Sequence, residues 1–207
     1  MVNVLIVEDS RISRESFERQ LAASEEYFVI ASIANAANAV IACMRSNVDL
    51  VLMDVCTADD ESGLAAAAAI KRQYPRTKVL IMSSMPEVSF LQKARDCGCD
   101  GFWYKEQSDL SLTEACDRAV RGDFPWPEQT PGVRIGLADS GEFTDRELDV
   151  IRALAAGGRY EEVGETLHLS SNTVKYHIKN ILQKTGFHST VQLVAEVVAK
   201  RLILPKY

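Results

Sequence analysis

"DLVLMD" (residues 49–54) sets four apolar residues between two acids. A half-exposed strand alternates apolar and polar side chains. An unbroken apolar run that ends in an acid suits a strand covered on both faces and stopping at a polar rim. The pattern recurs in "VNVLIV" (2–7), "YFVIASI" (27–33), "KVLIM" (78–82) and "DGFWY" (100–104). Between the runs lie segments of helical spacing, at about 11–22, 36–46, 63–74, 87–97 and 108–121. A strand-then-helix unit repeated in this way predicts an α/β fold, a five-stranded parallel doubly wound (βα)5 sheet with right-handed crossovers. Ligands of such a sheet gather at the carboxyl ends of its strands.

Chemistry-bearing residues fall at those ends. Glu8 and Asp9 follow the first strand, Asp54 ends the third, Ser83 follows the fourth and Lys105 the fifth. Carboxylates drawn together from separate strands repel each other, and a divalent cation relieves that. Mg²⁺ favours a few carboxylates completed by phosphate and water. A lysine charge and a hydroxyl donor complete a site for a phosphoryl group. One Asp at a strand end is ordinarily a turn residue or a helix cap; the information lies in the set.

After Arg121 the chain reads "GDFPWPEQTPGVRIGLADSGE", whose prolines and glycines exclude a regular helix or central strand. Residues 122–141 are expected as a linker, the alternative being an ordered arm that packs Phe124 and Trp126. "FTDRELDVIRALAAGG" then opens on a capping box, Thr144 with Glu147. Leu148, Ile151, Leu154 and Ala155 share one face, and Gly157-Gly158 end the helix. A short second helix lies in "YEEVGETLHL", Ser170 caps a third over 171–185, and "TVQLVAEVVAKRLI" forms a fourth. Short helices joined by tight turns predict an all-α four-helix helix-turn-helix domain over 142–207.

Charge separates the two parts. The chain carries a net −6; residues 1–123 hold 13 basic and 19 acidic residues, whereas 166–207 hold six bases against Glu196 alone. Within that basic island, "TVKYHIKNILQK" (173–184) has three lysines and no acid. On a helical wheel Val174, Ile178, Ile181 and Leu182 form an apolar stripe, while Asn172, Lys175, Tyr176, Lys179, Asn180 and Gln183 occupy the opposite arc. A merely solvated face typically pairs Glu with Lys four residues apart, and acids are missing here. As the second helix of a helix-turn-helix, this strip is expected to enter the DNA major groove.

Several classes are excluded. Five cysteines, Cys43, Cys56, Cys97, Cys99 and Cys116, lack the paired CxxC spacing of a zinc site and are expected as reduced thiols. Apolar runs are far too short to span a membrane, and "MVNVLIVEDS" lacks the basic start of a signal peptide, so a cytoplasmic protein is expected. A Walker-type phosphate loop is missing, and "DVC" lacks the DxD pair common in phosphohydrolases that use an Asp nucleophile. The chain is expected to be a regulator rather than an enzyme.

"VLIVEDS", "DLVLMDV", "VLIMSS" and "DGFWYKE" resemble the receiver domain of two-component response regulators, over about residues 1–121. The resemblance implies that Asp54 accepts phosphate from a sensor histidine kinase. Glu8, Asp9 and Asp54, with the main-chain carbonyl of Cys56, would hold Mg²⁺. Ser83 and Lys105 would bind the phosphoryl oxygens, and Phe102 stands at the family's switch aromatic, expected to move inward on phosphorylation. One departure is plain. The family's Asp-x-x-Met-Pro is replaced by "DVCTADDESG", and Gly63 lies one position later than usual, with Asp59, Asp60 and Glu61 added beside the site. A receiver that signals without phosphate is the alternative this departure raises.

Residues 142–207 resemble the LuxR-type output domain of NarL/FixJ-type regulators, most closely in "LSSNTVKYHIKNILQKTG". That implies a homodimer on DNA. Lys175, Tyr176 and Lys179 would face bases, and Thr173, Asn180 and Lys184 would contact phosphates. His188 would partly replace an Arg frequent in the family, where this chain has Thr190. His177 is expected to be packed or phosphate-facing. The last helix, with Val191, Val194, Val197 and Val198, serves either as a dimer contact or only as packing within its domain.

Overall fold

The apolar runs become strands because they are buried. Every residue of Leu50–Asp54 is inaccessible or nearly so, and Val4–Val7 and Val79–Ser83 are buried likewise. In this computed structural model residues 1–203 are described, except Glu61, Pro125 and the side chain of Asp60. Strands β1 (Val2–Val7), β2 (Tyr27–Ile33), β3 (Leu50–Asp54), β4 (Lys78–Ser83) and β5 (Gly101–Tyr104) form one parallel sheet in the order β2-β1-β3-β4-β5. Helices α1 (Arg11–Ala22), α2 (Ala39–Arg45), α3 (Gly63–Gln73), α4 (Phe90–Asp96) and α5 (Leu112–Arg121) connect and follow them. The expected doubly wound fold is observed. Val4, Ile6, Leu52, Leu80 and Trp103 share a core with Phe17 and Leu21 of α1 and Ala115 and Cys116 of α5.

Three helices begin later than their spacing predicts, α2 because Ala36–Asn38 form a separate 3-10 turn before it. Ser89 is the N-cap of α4, so Glu87 stays outside the helix. For α5 the cap is Ser111 rather than a residue near 108. Ser111 Oγ accepts from the Glu114 N–H at 3.3 Å, and the Glu114 carboxylate accepts from the Ser111 N–H at 2.9 Å. A reciprocal cap satisfies two otherwise orphaned donors and outcompetes a lone serine upstream.

Contacts divide the chain into two compact units, Met1–Ser84 with Ser89–Gln129, and Met85–Val88 with Thr130–Tyr207. The linker expected over 122–141 is therefore corrected, because the ordered-arm alternative describes its first part. Phe124 is buried in the first unit's core, against Gly101, where a Cβ would lie only 2.6 Å from its ring. The Arg95 guanidinium stands 4.8 Å from the centre of the Trp126 ring and donates to the Pro127 carbonyl at 3.1 Å. Aromatic burial and a cation over an indole face outweigh the breaking tendency of the prolines.

In the second unit a small antiparallel hairpin, β6 (Arg134–Ile135) and β7 (Ala138–Asp139), precedes α6 (Asp145–Ala155), α7 (Tyr160–Leu167), α8 (Ser171–Thr185) and α9 (Thr190–Ala199). The four helices match expectation; the hairpin was not foreseen. Ile135, Ala138, Ile151, Val163, Val174, Ile178, Ile181, Leu193 and Val197 form its core. None of the described helices is long and apolar enough to cross a membrane. None of the five cysteines is in a disulfide, and burial pushes Cys99 and Cys116 up to about 12.

Candidate functional site

The parallel sheet brings its strand ends together at one rim. There Glu8, Asp9 and Asp54 each offer a carboxylate oxygen within 4.8 Å of the others. Glu8 and Asp54 are buried and Asp9 is exposed. Lys105 reaches in from the end of β5, its Nζ 2.5 Å from Glu8 Oε2 and 3.0 Å from Asp54 Oδ1. Glu8 Oε1 accepts from the Ser10 N–H at 3.1 Å, and Asp54 Oδ1 from the Val55 N–H at 2.9 Å.

Burial pushes the Asp54 carboxyl up to about 7; the Lys105 charge pulls the other way, and Glu8 and Asp9 reinforce the rise. Burial alone would lower Lys105, but the Asp54 and Glu8 carboxylates hold its ammonium above the usual range. Three carboxylates and one lysine leave a local negative excess in a poorly solvated place. An all-oxygen set of this kind fits a hard divalent cation such as Mg²⁺. Cys56, whose main-chain carbonyl was expected to join it, lies two residues beyond β3 in an isolated bridge with Ser62.

Ser83 ends β4, buried, and its carbonyl accepts from the Lys105 N–H at 3.0 Å, so backbone pairing holds hydroxyl and lysine on adjacent strands. Phe102 is fully buried, its ring centroid 4.8 Å from that of Tyr104. The strand that carries it, β5, is buried along its whole length.

The altered loop after Asp54 is pinned at several points. Thr57 Oγ1 accepts from the Ala36 N–H at 3.0 Å, the Ala58 N–H donates to the Ala34 carbonyl at 3.0 Å, and Asn35 Nδ2 donates to Asp59 Oδ2 at 2.8 Å. Asp59 takes φ +64°, a left-handed conformation that Asp and Asn tolerate better than most residues. Its carboxylate is thus tied to Asn35. Glu61 and the Asp60 side chain lie outside the described residues. Gly63 starts α3 hard against the site, since a Cβ there would fall 1.8 Å from the Asp54 carbonyl oxygen.

Arg14 escaped the sequence reading. Its Nη1 donates to the main-chain carbonyls of Glu8 at 2.5 Å and Asp9 at 2.9 Å, bracing the backbone that carries the acidic pair. An arginine that grips carbonyls leaves no partner side chain in the sequence to signal it.

The basic helix is α8. Ser170 Oγ accepts from the Thr173 N–H at 3.1 Å, and Gly186 ends the helix in the left-handed conformation. Val174, Ile178, Ile181 and Thr185 are buried, and Leu182 is half-buried. Lys175, Tyr176 and Lys179 project into solvent, Tyr176 with 62% of its surface exposed, and Asn180 and Thr173 flank them half-buried. His177 is half-buried beside Tyr176, and His188 is exposed beyond the helix. Lys184, expected as a phosphate contact, is engaged within its own domain. Its Nζ donates to Glu147 Oε2 at 2.7 Å and to the Glu142 carbonyl at 2.9 Å. Glu147 also closes the α6 capping box, accepting from the Thr144 N–H at 2.9 Å. Although burial acts against it, Lys184 and Thr144 hold the Glu147 carboxyl below the usual range. Lys206, part of the basic island, lies outside the described residues.

Comparison with known proteins gives the same division. Residues 4–117 match the response regulator receiver domain, and residues 142–197 match the bacterial regulatory proteins of the luxR family. The response regulator protein VraR of Staphylococcus aureus is 28% identical over 207 residues, covering 98% of this chain and 99% of that protein; VraR of Staphylococcus epidermidis is equally similar. RcsB of Salmonella enterica serovar Typhimurium, solved on the rprA promoter with the phosphomimetic BeF3-, superposes with a TM-score of 0.63 at 19% identity, covering 95% of this chain and 98% of that one. A likeness at that identity speaks for the fold alone. With both halves matched in order, the chain belongs to the two-component response regulators and joins a receiver domain to a DNA-binding helix-turn-helix domain of the LuxR family.

Proposed function

We propose that a sensor histidine kinase phosphorylates Asp54, and that this controls dimerisation and sequence-specific DNA binding, and so transcription, in the cytoplasm. The convergence of Glu8, Asp9 and Asp54 within 4.8 Å, with Lys105 between two of them, carries this reading. An Asp54 carboxylate oxygen attacks the phosphorus of a phosphohistidine, the P–N bond breaks, and the imidazole takes the leaving electron pair. Mg²⁺ held by Glu8, Asp9, Asp54 and the Cys56 carbonyl would offset charge on the transferring group. Ser83 and Lys105 bind the phosphoryl oxygens, so Lys105 exchanges its pairing with Glu8 for the new anion. That exchange joins a roughly −2 charge to the loops at the strand ends.

On the output side, Lys175, Tyr176 and Lys179 read base edges, while Thr173, Asn180 and His188 contact phosphates. RcsB is described as two dimers bound to two parallel DNAs, which favours a homodimer here. The test is phosphate incorporation from an acyl phosphate donor with Mg²⁺. Labelling that Asp54→Ala abolishes supports the reading, and labelling that survives the substitution contradicts it. The alternative, a receiver working without phosphate, is favoured by the pinned, acid-bearing loop after Asp54. No labelling under any donor, with DNA binding intact, would select it.

A further inference from the structure

Residues 130–141 have no role so far, yet they are built onto the recognition helix. The hairpin pairs Arg134 with Asp139 and Ile135 with Ala138, and it is closed by Ser140. The Ser140 Oγ accepts from the Val133 N–H at 2.9 Å, and its N–H donates to the Val133 carbonyl at 2.8 Å. Ile135 and Ala138 are buried in the domain core, so the hairpin is no loose strap. Its turn meets the C-terminal end of α8.

A helix leaves its last carbonyls without partners of its own. Here Thr185 Oγ1 turns back to the Ile181 carbonyl at 2.9 Å, and the Leu137 N–H supplies the donor for the Thr185 carbonyl at 2.9 Å. The fit is reciprocal. Gly136 takes φ +59°, and a Cβ there would lie 2.2 Å from the Thr185 oxygen and 3.0 Å from the Phe187 ring. Across the joint, a Cβ on Gly186 would lie 2.8 Å from Leu137 Cδ1. On the far side Lys200, just after α9, donates to the Arg134 carbonyl at 2.5 Å. Leu137 is nonetheless 70% exposed, so its N–H rather than its side chain carries the joint.

We propose that the β6–β7 hairpin is a positioning element for DNA recognition, clamping the C-terminal end of α8 and setting the angle at which Lys175, Tyr176 and Lys179 enter the groove. This rests on the groove-reading role of α8. The 15 residues of α8 make a lever about 22 Å long. Seating a methyl at Gly136 requires a shift of about 1 Å at its fixed end, since heavy atoms need about 3 Å or more of separation. Hydrogen bonds to base edges weaken steeply with such errors of distance and angle. Flexible lysines on phosphates tolerate them.

The test uses the full chain and two duplexes, one enriched from a random-sequence pool by the unsubstituted protein and one a shuffled version of it. Gly136→Ala is expected to lower affinity for the enriched duplex about tenfold while changing the shuffled one by less than about threefold. Amide exchange should quicken at Leu137 and the last turn of α8, with α6 still protected. Ser140→Ala, which loosens the hairpin more gently, should shift the same ratio by about threefold; if Gly136→Ala does not fold, this variant decides alone. Equal losses on both duplexes with general loss of protection would reduce the hairpin to a fold-holding element, and an unchanged ratio would remove the clamp. If the unsubstituted protein itself fails to distinguish the duplexes, the groove-reading role falls and the clamp falls with it.

Discussion

In the acidic pocket a buried Glu8 and a half-buried Lys105 meet across 97 positions of sequence, whereas on α8 Lys175, Tyr176 and Lys179 crowd one short exposed stretch. The pocket is made by tertiary folding, and its charges are held where water cannot fully screen them. The basic strip is made by one helix, and its charges are spread into solvent where salt screens them within about 8–10 Å. The first arrangement suits a site that responds to one added charge. The second suits a surface that must release counterions from a long polyanion. Sensitivity follows burial, and reach follows exposure.

The difference can be broken first at Asp54. Asp54→Ala should reduce phosphate incorporation to background while leaving basal DNA affinity unchanged, measured by labelling and by titration with duplex. Loss of basal DNA binding in that variant would mean that the two regions are not separable. The next largest effect is on stability. With its carboxyl raised to about 7 against an unfolded value of about 3.9, Asp54 contributes stability that is fully present below about pH 4 and lost as the pH rises through about 7. Asp54→Asn removes this dependence. It should therefore melt above the parent at pH 8, by an amount equivalent to at most about 4 kcal/mol, with the gap closing toward pH 4. A gap independent of pH would place the raised carboxyl elsewhere.

The helix should answer to different handling. Lys179→Ala is expected to cost about 1–3 kcal/mol on a specific duplex and much less on a shuffled one. A uniform loss would make it a phosphate contact. Lys184 sharpens the contrast, because it belongs to the recognition helix in sequence and to the fold in space. Lys184→Met should lower stability by about 1–2 kcal/mol, since it leaves the buried Glu147 carboxylate without its cation. The salt dependence of DNA binding should barely change, whereas loss of a true phosphate contact reduces the log–log slope by about 0.9.

Legibility in the sequence followed the same divide. The strands were read nearly to the residue because β3 and β4 carry unbroken apolar runs and β1 is interrupted only by Asn3, and the pocket residues because each ends or follows such a run. Recognition helix and capping box were legible because both are local patterns. What escaped was set by backbone. Arg14 grips carbonyls, and the hairpin has strands of two residues within a stretch whose glycines and prolines suggest a linker or a packed arm but no strands. Its key contacts are an N–H of Leu137 and the missing side chain of Gly136, neither of which is a residue-type signal. The Lys184–Glu147 pair was hidden for a related reason: a helical wheel shows which way a side chain leaves its own helix, not that α6 stands there to receive it.

Coupling between the two regions is tested most directly by one titration. Affinity for the enriched duplex should be measured with and without acyl phosphate donor and Mg²⁺, for the unsubstituted protein and for Asp54→Ala. The account predicts that the donor tightens binding by about 5–150-fold in the former, equivalent to about 1–3 kcal/mol of coupling, and leaves the latter unmoved. The same tightening in both proteins, or labelled Asp54 with unchanged affinity, would contradict it.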